Sequence, residues 1–145
     1  MPERASRISF IFLFGIAILF SVNGIMENWN YIFPIHSVSK VDVLTPVVTE
    51  GEYVIIRATI TRREICSPKV IRIFREINLD KIVKVSEAPG AIGGIGRNIV
   101  TTVSVSGTND LEPGTYRVSG YVVNDCGSRI YTVQSPEYSF MVKAR

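Results

Sequence analysis

The chain has 145 residues, of which 46% are hydrophobic and 20% are charged, and its formal net charge is +3. This length provides one domain with its own core and leaves little room for a second. A charge of +3 is too small to indicate nucleic-acid binding, so we predict no nucleic-acid partner. Two cysteines and one histidine are too few for a structural zinc site, so we predict no metal.

An uncharged apolar segment occupies residues 8–26 and follows Arg4 and Arg7. At about 1.5 Å per residue, a helix of this length crosses a hydrocarbon core of roughly 30 Å. A cleaved signal peptide would have the same basic start and apolar segment. Three aromatic residues that suit the lipid headgroup level come next, Trp29, Tyr31 and Phe33. They favour an uncleaved transmembrane signal-anchor.

The basic residues before the apolar segment set the expected orientation. Basic flanks stay in the cytoplasm, so residues 1–7 are predicted to be cytoplasmic. Residues 27–37 then form a juxtamembrane tether, and residues 38–145 form a domain in the periplasm or outside the cell. In such an oxidising compartment, an even cysteine count favours a disulfide between Cys66 and Cys126.

Short β-rich stretches follow one another along the predicted domain, with turn residues at intervals of roughly ten. In the second stretch, alternate apolar residues can all point to one side: Val54, Ile56, Ala58 and Ile60. The last stretch shows the same pattern at Tyr138, Phe140 and Val142. Seven such stretches and no helical pattern predict an antiparallel β-sandwich or barrel.

The glycine-rich segment "PGAIGGIGRN", residues 89–98, has the composition of a nucleotide-binding loop. A dinucleotide loop lies between a strand and a helix, whereas this segment leads into the strand-like "NIVTTVSVSG". It also lacks the Gly-Lys pair of a phosphate-binding loop. We therefore predict no cofactor, and we expect a surface connection whose glycines permit positive φ.

The stretch "LEPGTYRVSGYVVNDC", residues 111–126, resembles the tyrosine corner of immunoglobulin-like and fibronectin type III-like domains. Leu111, Gly114 and Tyr116 carry this resemblance. It implies a seven-stranded antiparallel immunoglobulin-like sandwich, in which the tyrosine packs under the turn and its hydroxyl bonds to the backbone. The whole chain is similar to small membrane-tethered immunoglobulin-like proteins of phages and bacteria, a group with no assigned activity.

The implied topology places Cys66 and Cys126 at the same end of the sandwich, after two strands that run in the same direction. A disulfide there would join two loops, and loops that are held rigid lose less entropy when they bind. The candidate partner-binding residues in these loops are Arg62, Arg63, Asn124, Asp125 and Arg129. Simple stabilisation of the domain is the alternative role of the disulfide.

These observations predict a binding protein and not an enzyme. The single histidine, His36, lies in the predicted tether without a nearby carboxylate, and no nucleophile motif is present. We predict a membrane-anchored interaction module that binds an acidic protein or an anionic glycan through its arginines. The alternative is a structural or assembly component of an envelope or virion-related complex that acts through its strand edges.

Overall fold

Alternating apolar residues form strands throughout the part of the chain that the computed structural model describes, residues 36–90 and 94–145. The strands are β1 (His36–Val43), β2 (Val47–Thr49), β3 (Ile55–Arg62), β4 (Ser67–Glu76), β5 (Lys81–Pro89), β6 (Gly96–Ser104), β7 (Gly114–Asp125) and β8 (Ile130–Lys143). One sheet has the order β1-β3-β6, and the other has the order β2-β8-β7-β4-β5. The predicted all-β class is confirmed, and the two sheets are consistent with a sandwich.

The predicted count of seven strands is wrong, because eight strands form within the described residues. The additional strand is β2, which has three residues and is too short to show an alternating pattern. It pairs in parallel with the end of β8, with Val48 opposite Val142. The other strand pairs are antiparallel, as expected. The strand β2 begins directly after Pro46, where the first predicted stretch ends.

The first strand begins earlier than predicted. His36 was assigned to the tether, but it is the first residue of β1, where it lies opposite Arg62 of β3 and is buried. The strand pattern before residue 38 is weak because it contains the polar sequence His36-Ser37. Burial, together with the charge of Arg62, lowers the pKa of His36.

One hydrophobic core joins the two sheets. The predicted inward faces of β3 and β8 are confirmed, since Val54, Ile56, Ala58, Ile60, Tyr138, Phe140 and Val142 are all buried. Phe74 of β4 is fully buried and meets Phe140 edge-on, with 6.5 Å between ring centroids. Burying side chains of this size stabilises the fold by about 1.5–3 kcal/mol each.

The turn before β7 is held by Tyr116. Its ring stacks on Phe140 with 5.6 Å between centroids, and its hydroxyl donates a hydrogen bond to the Glu112 carbonyl at 2.6 Å. Leu111 is buried beside this turn in the same core. A Cβ atom at Gly114 would lie 3.4 Å from the Tyr116 hydroxyl. These contacts have the geometry expected of a tyrosine corner.

The glycine-rich segment connects β5 to β6, so it leads from one strand to another as predicted. Its described glycines, Gly90, Gly94 and Gly96, do not have positive φ. Gly90 is instead required by packing, because a Cβ atom there would lie 2.7 Å from the Pro68 side chain. The residue with positive φ in this region is Asn98.

Within residues 36–90 and 94–145, no helix is long and apolar enough to cross a membrane. The predicted transmembrane segment, residues 8–26, lies outside the described residues. The predicted interface residues Trp29, Tyr31 and Phe33 also lie outside them.

We expect Tyr116→Phe to lower the free energy of unfolding by about 1 kcal/mol, because it removes one hydrogen bond and keeps the ring in place. The exposed Tyr53 provides a matched control, and Tyr53→Phe should change the free energy by less than about 0.5 kcal/mol. Equilibrium unfolding of the full-length chain measures both values. Equal effects of the two substitutions would show that the hydroxyl of Tyr116 does not hold the turn.

Candidate functional site

The end of the β4–β7 ladder carries the predicted disulfide. Ser67 lies opposite Asp125 in the last register pair, and the next residue on each strand is a cysteine. Cys66 and Cys126 form the disulfide, with their Cα atoms 4.5 Å apart. This separation is typical of directly opposed residues in an antiparallel ladder that do not exchange hydrogen bonds. The bond thus joins neighbouring strands of one sheet and connects the loops that flank them.

These two loops form a surface that we call the tip, defined as residues 62–68 and 124–130. The second loop is ordered by its own hydrogen bonds. The Gly127 N–H donates to Asp125 Oδ1 at 2.9 Å, and the Cys126 N–H donates to the Arg129 carbonyl at 3.0 Å. Gly127 has a φ of 80°, a conformation that favours glycine. Asp125 therefore has a structural role in the turn.

Two of the predicted binding residues lie inside the protein. Arg62 is 4% exposed, because it continues the inward face of β3 at the position two residues after Ile60. Asn124 is 1% exposed and follows Val122 on the inward face of β7. Its Nδ2 donates to the Val122 carbonyl at 3.3 Å. Both side chains are therefore buried and contribute no exposed surface to the tip.

The other three predicted residues, Arg63, Asp125 and Arg129, are exposed at the tip. The disulfide brings the two loops that contain them together. The alternation of inward-facing and outward-facing residues in β3 ends at Arg62. Arg63 is the first residue of the loop and lies outside this alternation. Two arginines from separate loops thus belong to one exposed surface.

Sequence reasoning missed two isoleucines of this surface. Ile65 is 79% exposed and immediately precedes Cys66, and Ile130 is 70% exposed at the start of β8. Each stands among polar loop residues, in "RREICSP" and "CGSRIYT". An apolar residue beside a cysteine in an otherwise polar loop was the available signal. Exposed apolar groups beside polar ones are typical of interaction sites.

Charges of both signs accompany these apolar groups. The Glu64 carboxylate lies within 4.8 Å of the sulfurs of Cys66 and Cys126, and these sulfurs are bonded to each other. Burial and the charge of Glu64 raise the pKa of the Tyr131 hydroxyl to about 12, and Arg129 opposes this rise. The Tyr131 hydroxyl therefore remains neutral at physiological pH.

A shallow groove of about 610 Å³ adjoins the tip and is called the tip groove. It shares Ser67, Pro68, Asp125 and Ile130 with the tip. It continues over β4 and β5, where Lys69 and Glu87 form an ion pair at 3.1 Å. The remaining lining residues are Ala88, Pro89 and Val123. The groove extends the mixed apolar and charged surface away from the disulfide.

Comparisons with protein-family models and with curated proteins found no match to this sequence.

We expect the double variant Cys66→Ala, Cys126→Ala to lose about 4 kcal/mol of unfolding free energy, the value for a loop of about 60 residues. Thermal or denaturant unfolding of the full-length chain measures this loss. A reductant should destabilise the wild type by a similar amount and leave the double variant unchanged. A double variant as stable as the oxidised wild type would contradict a stabilising role for this bond.

Proposed function

We propose that the chain is a membrane-anchored, extracytoplasmic binding module whose contact surface is the tip. Its architecture is proposed to be immunoglobulin-like. The two sheet orders, the parallel pairing of β2 with β8 and the hydroxyl contact of Tyr116 support that relationship. The architecture alone assigns no activity, so the argument for binding comes from the tip.

The observation that carries the proposal is the pair of exposed isoleucines next to the disulfide. The exposure of Ile65 and Ile130 to water is unfavourable. A partner that covers both side chains would gain the free energy of burying them. Arg63 and Arg129 lie beside them in sequence and are also exposed. A small apolar centre with arginines around it is the composition of many protein-binding surfaces.

The disulfide adds preorganisation to this composition. The bond and the hydrogen bonds of the 124–130 loop fix the backbone of both loops before any partner arrives. Binding then costs less conformational entropy than it would with two mobile loops. This effect operates in addition to the stabilisation of the domain.

The chemistry of the tip favours a protein partner that combines apolar and acidic side chains. Guanidinium groups form bidentate pairs with carboxylates, and the isoleucines need apolar contacts that an anionic glycan supplies poorly. No catalytic step is part of this proposal. The chain's single histidine, His36, is buried at the start of β1, away from the exposed surface.

The location is proposed from the sequence. The apolar segment of residues 8–26, with Arg4 and Arg7 before it, supports a single-pass anchor with its N-terminus in the cytoplasm. The disulfide supports an oxidising compartment for the domain. Such an anchor would hold the domain near the membrane and direct its tip to partners in the periplasm or outside the cell.

The double variant Arg63→Ala, Arg129→Ala should lose the partner. The tagged full-length chain is cross-linked in its native membrane, and captured proteins are identified by mass spectrometry. The control is Arg57→Ala, Arg117→Ala, which removes the same charge from exposed positions of β3 and β7. We expect capture to fall at least about tenfold in the tip variant alone, since charged hydrogen bonds contribute about 1.5–3 kcal/mol each.

Salt provides a second readout in the same experiment. Capture by the wild type should weaken as ionic strength rises, because exposed charge pairs are screened. Equal capture by the tip variant and the control variant would contradict the proposal. Recovery of glycan-modified material that heparin displaces would assign the tip to an anionic glycan instead.

A second candidate function, self-assembly through β5, is favoured by a different observation. β5 forms one edge of the five-stranded sheet and exposes Ile82 and Val85 at 48% and 58%. An unpaired edge with apolar side chains can add a strand or a second sheet. However, Val83 has no partner in the β4–β5 register, so β5 has a bulge at this position. A β-bulge bends an edge strand and hinders pairing with a further strand.

Val85→Lys should abolish self-cross-links if β5 mediates assembly. The matched control is Val100→Lys in β6, where the valine is 60% exposed on the other sheet. Chemical cross-linking of the full-length chain in its membrane, followed by electrophoresis, measures the dimer fraction. On the binding-module account, neither substitution changes that fraction, whereas its selective loss in Val85→Lys would support assembly through β5.

A further inference from the structure

A small cavity lies between the two sheets, and Pro68 is the tip residue among those that line it. Its volume is about 90 Å³. Apolar side chains from both sheets form most of its wall, including Val38, Ile56, Ala58, Val70, Val103 and Val122. Apolar walls offer water few hydrogen-bond partners. The polar groups that line the cavity therefore determine which ligand it can bind.

The principal polar group is Arg72. It occupies an inward position of β4, is 8% exposed and lines the cavity. Its Nη1 donates a hydrogen bond to the Ser106 hydroxyl at 3.3 Å. No carboxylate pairs with Arg72 among the described residues, where the ion pairs involve other side chains. The positive charge of its guanidinium is therefore buried without a counter-charge among the described residues.

Tyr138 supplies a second donor beside this arginine. It lines the same cavity, and no acceptor for the proton of its buried hydroxyl lies among the described residues. Burial raises the pKa of this hydroxyl to about 12, and the nearby charge of Arg72 opposes the rise. The hydroxyl is therefore protonated and available as a donor. Buried polar groups that remain unsatisfied are rare, because each costs about 1–3 kcal/mol.

We propose that this cavity binds a short aliphatic monocarboxylate. The carboxylate would compensate the charge of Arg72 and accept a hydrogen bond from Tyr138, and the alkyl group would contact the apolar wall. A guanidinium suits a carboxylate because two parallel hydrogen bonds can form. A cavity of about 150 Å³ holds benzene, which has six non-hydrogen atoms, so a cavity of about 90 Å³ limits the ligand to roughly four, the size of acetate.

This ligand class follows from the combination of groups. A neutral solute would leave the charge of Arg72 uncompensated, and a cation would be repelled by it. An inorganic anion would leave the apolar wall without contacts. The proposal does not depend on the tip or on its partner, because the cavity residues lie on the inner faces of the sheets.

The test is a titration of the full-length chain, in mild detergent, with acetate labelled with ¹³C at its carboxyl carbon. Acetate is small enough for the cavity and too polar to enter micelles. We expect a saturable change in its NMR signal, and no displacement by ethanol or ethylamine. Arg72→Met should weaken binding at least about tenfold, because it removes the charged donor but keeps an unbranched side chain. The exposed Arg57 is the control, and Arg57→Met should bind like the wild type.

A second variant separates binding from folding. Ala58→Val narrows the cavity from the opposite sheet and leaves Arg72 in place, so it should also weaken acetate binding. The proposal is overturned if the wild type shows no saturable signal, or if Arg72→Met and Ala58→Val both bind like the wild type. Displacement by ethanol as effective as displacement by unlabelled acetate would show a site for apolar solutes and not for carboxylates.

Discussion

The antiparallel ladder between β4 and β7 runs from the pair Ser67 and Asp125 to the pair Glu76 and Tyr116. Its register decides which side chains of β4 and β7 face the core and which face solvent. It also places Cys66 opposite Cys126 at one end, and the tyrosine turn at the other. The tip, the core and the cavity are all positioned by this one pairing.

The apolar pattern of β4 alone does not select that register. Its sequence "SPKVIRIFRE" has isoleucines on one face, and Phe74 with Arg72 on the other. A slip of one residue would turn Ile71 and Ile73 inward and Val70 and Phe74 outward, so each register buries two apolar residues and hydrophobicity alone does not decide between them. The disulfide excludes the slip, because it requires the two cysteines to point to the same side at short range. The covalent bond thus keeps a charged side chain inside the domain.

Much of the fold follows from local sequence patterns. The alternation of apolar residues predicted the inward faces of β3 and β8, and the turn residues predicted the Tyr116 contact. The expected oxidising compartment predicted the disulfide between Cys66 and Cys126. The short strand β2 was not, because three residues carry no periodicity and its partner is almost a hundred positions away in sequence.

The site was predictable in position but not in composition. The topology located the tip, yet Arg62 and Asn124 proved to be buried because the strands extend further than their apolar residues indicate. The exposure of Ile65 and Ile130 was not predicted. It depends on the residue at which each strand ends and its loop begins, and the sequence pattern did not define that residue. The cavity could not be inferred from sequence, because it depends on packing between residues that are distant along the chain.

The most direct measurement is site-specific photo-cross-linking in the native membrane, with a photoreactive amino acid in place of Ser128 in the tip. Ser128 is exposed and lies two residues after Cys126. The account predicts a defined adduct with another protein while the disulfide is intact, and its loss when the bond is reduced, because the contact surface needs both loops. An adduct that is unaffected by reduction, or no adduct at all, would contradict the claim that the disulfide-bonded tip is the binding surface.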